Sequence, residues 1–135
     1  MTEGEKLVEL ARYRLRQAEE TCEEAEYLLA GGKSPRSVMN RVYYSMYYAV
    51  LALLIFEPYS SSKHSGVLSY FNRRFIKESL LPEALGRSLN KAFELRQRGD
   101  YREFADLSAD QVRPFLDDAR IFITEVKKYL LKKGV

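Results

Sequence analysis

Apolar residues in this 135-residue chain return every three or four positions over long stretches, and no segment of useful length alternates with a period of two. The first stripe is Val8, Ala11, Leu15, Ala18, Cys22, Ala25 and Leu29, a 3-4 alternation that predicts one apolar face on a helix of about seven turns. Thr2 and Glu5 have the spacing of a capping box at its start. Ala11, Ala18 and Ala25 recur every seven residues, and side chains this small let a neighbouring helix come close. Gly31-Gly32 supplies the stop.

Ser34-Pro35 restarts the chain, with Ser as N-cap and Pro at the first helical position. This second helix is predicted to run to about Phe56, ahead of Pro58. Within Val42–Phe56, fourteen of fifteen residues are apolar or tyrosine, so apolar groups cover most faces. That length falls short of the roughly 20 residues a membrane span needs. A central buried helix is the better reading, with one face available to a second subunit. After the loop Tyr59-Ser-Ser-Ser, a short third helix is expected over about Ser65–Lys77, with Val67, Leu68, Phe71 and Phe75 inward. Pro82 suits the first turn of a fourth helix bearing Leu85, Leu89, Ala92 and Phe93 on one face and ending near Gly99. Ser108 and Gln111 again have capping-box spacing, before a last stripe of Val112, Phe115, Ala119, Phe122, Val126 and Tyr129. Pro114 falls inside that stripe, so the helix either starts a few residues late or is kinked in its first turns. Lys127, Lys128, Lys132 and Lys133 complement its C-terminal dipole. The reading is all-α: a single domain over residues 1–135, an antiparallel up-and-down bundle of four main helices and one short one.

Composition narrows the chemistry. A single cysteine, Cys22, excludes a disulfide framework within the chain and fits a reducing cytoplasm. The acidic start MTEGEKLVEL has no apolar stretch of the signal-peptide kind. Charge is uneven: net −4 over residues 1–30 and net +5 over residues 63–102. The basic stretch is either a solvated face or an attractor of phosphate. One histidine and one cysteine cannot build a zinc site within one chain, and His64 lacks the Glu-x-x-His context of a di-iron bundle. Phosphate-loop and dinucleotide glycine motifs are absent. Neither metal nor organic cofactor is expected.

Three features carry candidate chemistry. Arg96 continues the apolar series Leu85, Leu89, Ala92, where a guanidinium must be paired or wet. Asp100, four residues on and followed by Tyr101, is its available partner. The pair is then a strut at a helix end, or Arg96 faces a polar cleft that takes phosphate. Arg41 heads a face with Ser45, Tyr48, Ala52 and Ile55, two hydroxyls followed by apolar groups. Beside it, Tyr43, Tyr44, Tyr47 and Tyr48 place four phenols on a helix with no room to bury them all unpartnered. His64, between Lys63 and Ser65, is a general base near neutral pH or a surface residue or helix cap.

The run Arg41-Val-Tyr-Tyr-Ser-Met-Tyr-Tyr-Ala, then Lys63-His-Ser-Gly-Val, then Phe93-Glu-Leu-Arg-Gln-Arg-Gly-Asp-Tyr101 resembles the HEPN family (higher eukaryote and prokaryote nucleotide-binding), in its small stand-alone prokaryotic branch. The resemblance covers about Leu7 to Tyr129. It implies a helical bundle, a homodimer, and a minimal nucleotidyltransferase as partner in a two-component module of toxin–antitoxin type. Active relatives are metal-independent ribonucleases with an arginine and a histidine separated by four to six residues. Here Arg41 with six intervening residues reaches Tyr48, and Arg96 with four reaches Tyr101. His64 has no arginine at the matching distance. The motif is not intact, and tyrosine, with an ordinary pKa near 10, is a poor base at neutral pH.

Three functions follow as expectations. The first is a module binding nucleotide or RNA phosphate through Arg41, Tyr44, Tyr48, Arg96, Asp100 and Tyr101, as a cytoplasmic homodimer partnered by the nucleotidyltransferase and independent of membranes. The second is a ribonuclease with a composite dimer site and His64 as base. The third is a structural dimer in which the same residues are struts.

Overall fold

The helix ends form where local side chains can satisfy the backbone. Thr2 Oγ1 accepts the Glu5 N–H at 3.1 Å and opens α1, Glu3–Ala30. The helix closes on Gly32, whose φ of 69° is a conformation glycine adopts freely, with Lys33 N–H donating to the Leu28 carbonyl at 2.9 Å. Ser34 Oγ accepts the Ser37 N–H at 3.1 Å, Pro35 takes the first position, and α2 runs Pro35–Leu54. The computed structural model describes residues 1–99 and 107–135; Asp100 and Tyr101 lie outside the described residues.

Residues 64–76 do not form the single short helix the pattern suggests. α3, His64–Phe71, passes directly into a π-helical turn, Asn72–Ile76, with Lys77 N–H donating to the Asn72 carbonyl at 2.8 Å. Asn72 Nδ2 donates to the Leu68 carbonyl and to Asn90 Oδ1, tying the wider turn to the next helix. That helix is α4, Glu83–Gly99, and its Gly86 lets it sit close: a Cβ there would stand 2.9 Å from Asn72 Oδ1 and 3.2 Å from Ile76 Cγ1.

α5, Ala109–Leu131, starts at a complete capping box: Gln111 N–H donates to Ser108 Oγ, and Ser108 N–H to Gln111 Oε1. Of the two readings of Pro114, a late start is therefore wrong; the helix begins at the box and continues through the proline. The amide Pro114 lacks would have served the Asp110 carbonyl in the first turn, where both residues are exposed.

Among the described residues the architecture is an all-α bundle of four long helices and one short one. α2 is its axis, packed on α1, α4 and α5. Ala11, Ala18 and Ala25 are fully buried and give α1 its close approach to α2. Val38, Val42, Met46, Val50 and Leu53 from α2 meet Phe71, Phe75, Leu89 and Phe122 in one continuous core. Most of the apolar surface of α2 is buried within the chain, while Tyr44, Tyr48, Leu51 and the capping Ile55 along one face stay partly exposed. Exposed apolar side chains stand elsewhere, including Leu7, Leu10 and Tyr13 on α1. No described helix is long and apolar enough to cross a membrane.

Candidate phosphate-binding cleft

The tyrosine block of α2 is divided by depth. Tyr43 is fully buried and Tyr47 nearly so, whereas Tyr44 and Tyr48 are half-buried. Burial and the neighbouring Tyr47 push the Tyr43 phenol well above its ordinary value, so it stays protonated. Its hydroxyl lies 2.7 Å from His64 Nδ1. The imidazole also stacks on Tyr47, with ring centroids 4.1 Å apart and planes within 4°. His64 is the first residue of α3, and Gly66 lets that turn approach the preceding loop: a Cβ there would meet Tyr59 Oη and Ser61 Oγ at 2.8 Å. Burial, then the positive charge of Arg96, lowers the His64 pKa from its ordinary 6.5. The ring is neutral at pH 7.

Arg96 arrives from α4. Its Nη2 donates to Tyr44 Oη at 3.3 Å, and its guanidinium carbon stands 5.2 Å from the Tyr44 ring centroid and 5.6 Å from that of Tyr43. Its Nε is buried and makes no hydrogen bond among the described residues. No described carboxylate pairs with it. The strut with Asp100 falls outside the described residues, as does the contribution of Tyr101.

Arg41 does not look along the Ser45 and Tyr48 hydroxyls as its helical face suggests. Ser45 is fully buried and donates back to the Val42 carbonyl at 2.7 Å, because an enclosed hydroxyl takes the nearest free acceptor. Arg41 turns instead to Asn40 Oδ1, at 3.2 Å from Nε and 2.9 Å from Nη2. Its guanidinium carbon is 5.4 Å from the Tyr44 ring centroid, and Glu24 stands 3.9 Å from Nη1.

Arg41 and Arg96 thus meet on one ring, and both line one cavity of about 490 Å³ whose walls include Arg36, Asn40, Met39 and Leu95. Tyr44 and Tyr48, 5.8 Å apart between centroids, are not part of the cavity wall; Tyr44 touches the cleft through the two arginines. His64 is not part of the wall either; it is joined to the cleft through Tyr43 and Tyr44. Sequence reasoning missed the Tyr43–His64 bond and the role of Asn40. Twenty-one residues separate Tyr43 from His64, and no local pattern signals such a pairing.

A cavity with converging guanidiniums, an amide and apolar walls has groups that can pair with a planar or anionic ligand. The HEPN domain matches this chain over residues 11–129, nearly its whole length. The chain belongs to the HEPN family. It is 38% identical to a UPF0332 protein of Thermotoga maritima, covering 96% of each chain. It is 35% identical to the protein named "Putative toxin MJ0142" of Methanocaldococcus jannaschii, over 96% of this chain and 91% of that one. A UPF0332 protein of Archaeoglobus fulgidus is 29% identical over 88% of this chain and 94% of that one. Arg41 and Arg96 are 55 positions apart in this chain and share Tyr44.

Proposed function

We propose that this HEPN protein binds the phosphate of a nucleotide or RNA strand in the Arg41–Arg96 cleft, as the toxin-like member of a two-component module. The observation that carries this is the convergence of two guanidiniums on Tyr44 at a single cavity, with Arg96 lacking a carboxylate among the described residues. Two cations so placed repel each other, and an anion between them relieves the repulsion. The similarity to toxin-named proteins supports the biological setting. A minimal nucleotidyltransferase is its proposed partner. The proposed homodimer would draw on the partly exposed Tyr48 and Leu51 of α2 and on Ile55 at its C-terminal cap.

Binding should be phosphate-driven and weaken with salt. Labelled RNA or ATP should saturate the protein at low salt, and Arg96→Ala should weaken binding by about 10- to 100-fold, in the range of one charge-assisted hydrogen bond. Absence of saturation at low salt overturns the reading.

RNA cleavage with His64 as base is the second reading, favoured by the neutral imidazole beside Arg96. Against it stands the bond to Tyr43. With the protonated phenol donating to Nδ1, the ring proton sits on Nε2, and that tautomer presents a donor to a phosphate, not a base to a ribose hydroxyl. Metal-independent cleavage abolished by His64→Ala would establish the second reading over the first.

A further inference from the structure

Two ionisable groups from different helices share the Tyr43–Tyr44 pair of α2. Arg96, from α4, stands over both rings, 5.6 Å from the Tyr43 centroid and 5.2 Å from the Tyr44 centroid. His64, from α3, uses the same two: its ring centroid is 5.7 Å from each, stacked on Tyr43 and edge-on to Tyr44. Each contact is fixed by a hydrogen bond. Arg96 Nη2 donates to Tyr44 Oη at 3.3 Å, and Tyr43 Oη lies 2.7 Å from His64 Nδ1. The guanidinium opens on the cavity, whereas the imidazole is not in its wall.

The surroundings of the imidazole leave its charge uncompensated. α2 brings only phenols to it, those of Tyr43, Tyr44 and Tyr47, and α4 brings the cation Arg96. In the π-helical turn, Arg73 lies over Tyr70 and Arg74 pairs with Glu57 and Glu78. Lys63 precedes it with an exposed side chain. No described carboxylate pairs with His64. A proton added to the ring would turn Nδ1 into a donor and take away the acceptor of the buried Tyr43 phenol. It would also set a second positive charge against the rings that Arg96 occupies. The first of these penalties is fixed by packing. The second disappears when an anion neutralises Arg96.

We propose that His64 is a proton switch linked to the cleft: an anion held by Arg96 favours protonation of the imidazole, and protonation in turn tightens the anion. The link is reciprocal, because both events belong to one thermodynamic cycle. It rests on the anion-binding reading of the cleft. The protein then holds its ligand more firmly in acid and releases it more readily as the imidazole loses its proton.

Inorganic sulfate is the probe, since its charge is constant over the range in which an imidazole titrates. Proton NMR follows the single imidazole in saturating sulfate and in chloride of equal ionic strength. Sulfate should move the His64 midpoint upward. Wild-type protein should bind sulfate about threefold more tightly below that midpoint than above it, the size expected for charges on the order of 10 Å apart at a dielectric between protein surface and water. His64→Gln should remove this pH dependence, and Arg96→Ala should remove the sulfate-induced rise. The proposal is overturned if bound sulfate leaves the midpoint where chloride does, or if the rise persists in Arg96→Ala. It is equally overturned if a folded His64→Gln keeps the full pH dependence; should that variant not fold, the wild-type titration alone decides. Sulfate that binds at neither pH overturns the cleft reading as well, an outcome distinct from binding without the link.

Discussion

Arginine and tyrosine gather at two places along α2, and the two gatherings are built differently. Just past the C-terminal end of α2, Glu57 accepts Tyr70 Oη at 2.7 Å and Arg74 Nε at 2.9 Å, and Arg74 Nη1 reaches Glu78 at 3.0 Å. Tyr59 stacks on Tyr70 with centroids 4.4 Å apart. Glu57 and Glu78 both pair with Arg74 there, Arg73 lies over the Tyr70 ring at 5.5 Å, and the Glu57 side chain is only 11% exposed. The Glu57 carboxylate holds Arg74 and the Tyr70 phenol above their ordinary pKa values. In the N-terminal half of α2, Arg41 and Arg96 lie against phenols and an amide, with Glu24 at 3.9 Å from Arg41 as the nearest described carboxylate. The same residue types therefore make a strut where a carboxylate bonds them closely, and leave Arg96 without a described carboxylate in the proposed cleft.

The sharpest way to break that comparison is to supply the missing carboxylate. Asn40→Asp keeps the shape of the acceptor that Arg41 already uses and adds a full negative charge. RNA affinity should fall by at least about tenfold, or about 1.4 kcal/mol, because charges about 4 Å apart interact by several kcal/mol at an effective dielectric near 20. Thermal stability should hold or rise. Unchanged affinity with a correctly folded variant would mean that Arg41 does not meet the phosphate.

The reverse substitution belongs to the other cluster. Glu57→Gln leaves an oxygen for Tyr70 and Arg74 but removes the charge, and the melting temperature should drop while RNA binding stays within about twofold. A loss of binding as large as the one from Asn40→Asp would show that the two clusters are not separate.

A smaller effect concerns pH. His64 has its pKa lowered in the folded chain, so the unfolded chain takes up the proton first as pH falls. The stability contributed by the neutral ring is complete above the ordinary value of 6.5 and is lost as pH falls through the lower folded value. Protonation also makes Nδ1 a donor and reverses the bond with Tyr43. Denaturant titrations from neutral pH downward should show this decline, and His64→Gln should flatten it. Proton NMR of the single imidazole gives the value directly, and a pKa at or above 6.5 would contradict the buried placement.

The candidate site was only half legible before folding. Arg96 stood out because a charge interrupts the series Leu85, Leu89, Ala92, and Arg41 because it heads a tyrosine-rich face. Both signals come from helical periodicity, a local property. Periodicity placed Arg41 over Ser45 and Tyr48, but it cannot report where a long, flexible side chain turns once Ser45 has bonded its own backbone. The sequence puts His64 in the loop or at the start of the short helix, and it does open α3, but no local pattern shows that Tyr43 and Tyr47 enclose its ring.

Helix number, their starts and stops, and the central place of α2 were set by the amino-acid sequence alone, through caps, glycines and apolar spacing that act within a few residues. The π-helical turn at Asn72–Ile76, the convergence of Arg41 and Arg96 on Tyr44, and the enclosure of His64 were decided by the tertiary structure. They depend on contacts between helices distant in the chain. The energy of a buried guanidinium or phenol is set by whichever partner packing brings within reach, and no local spacing encodes that partner.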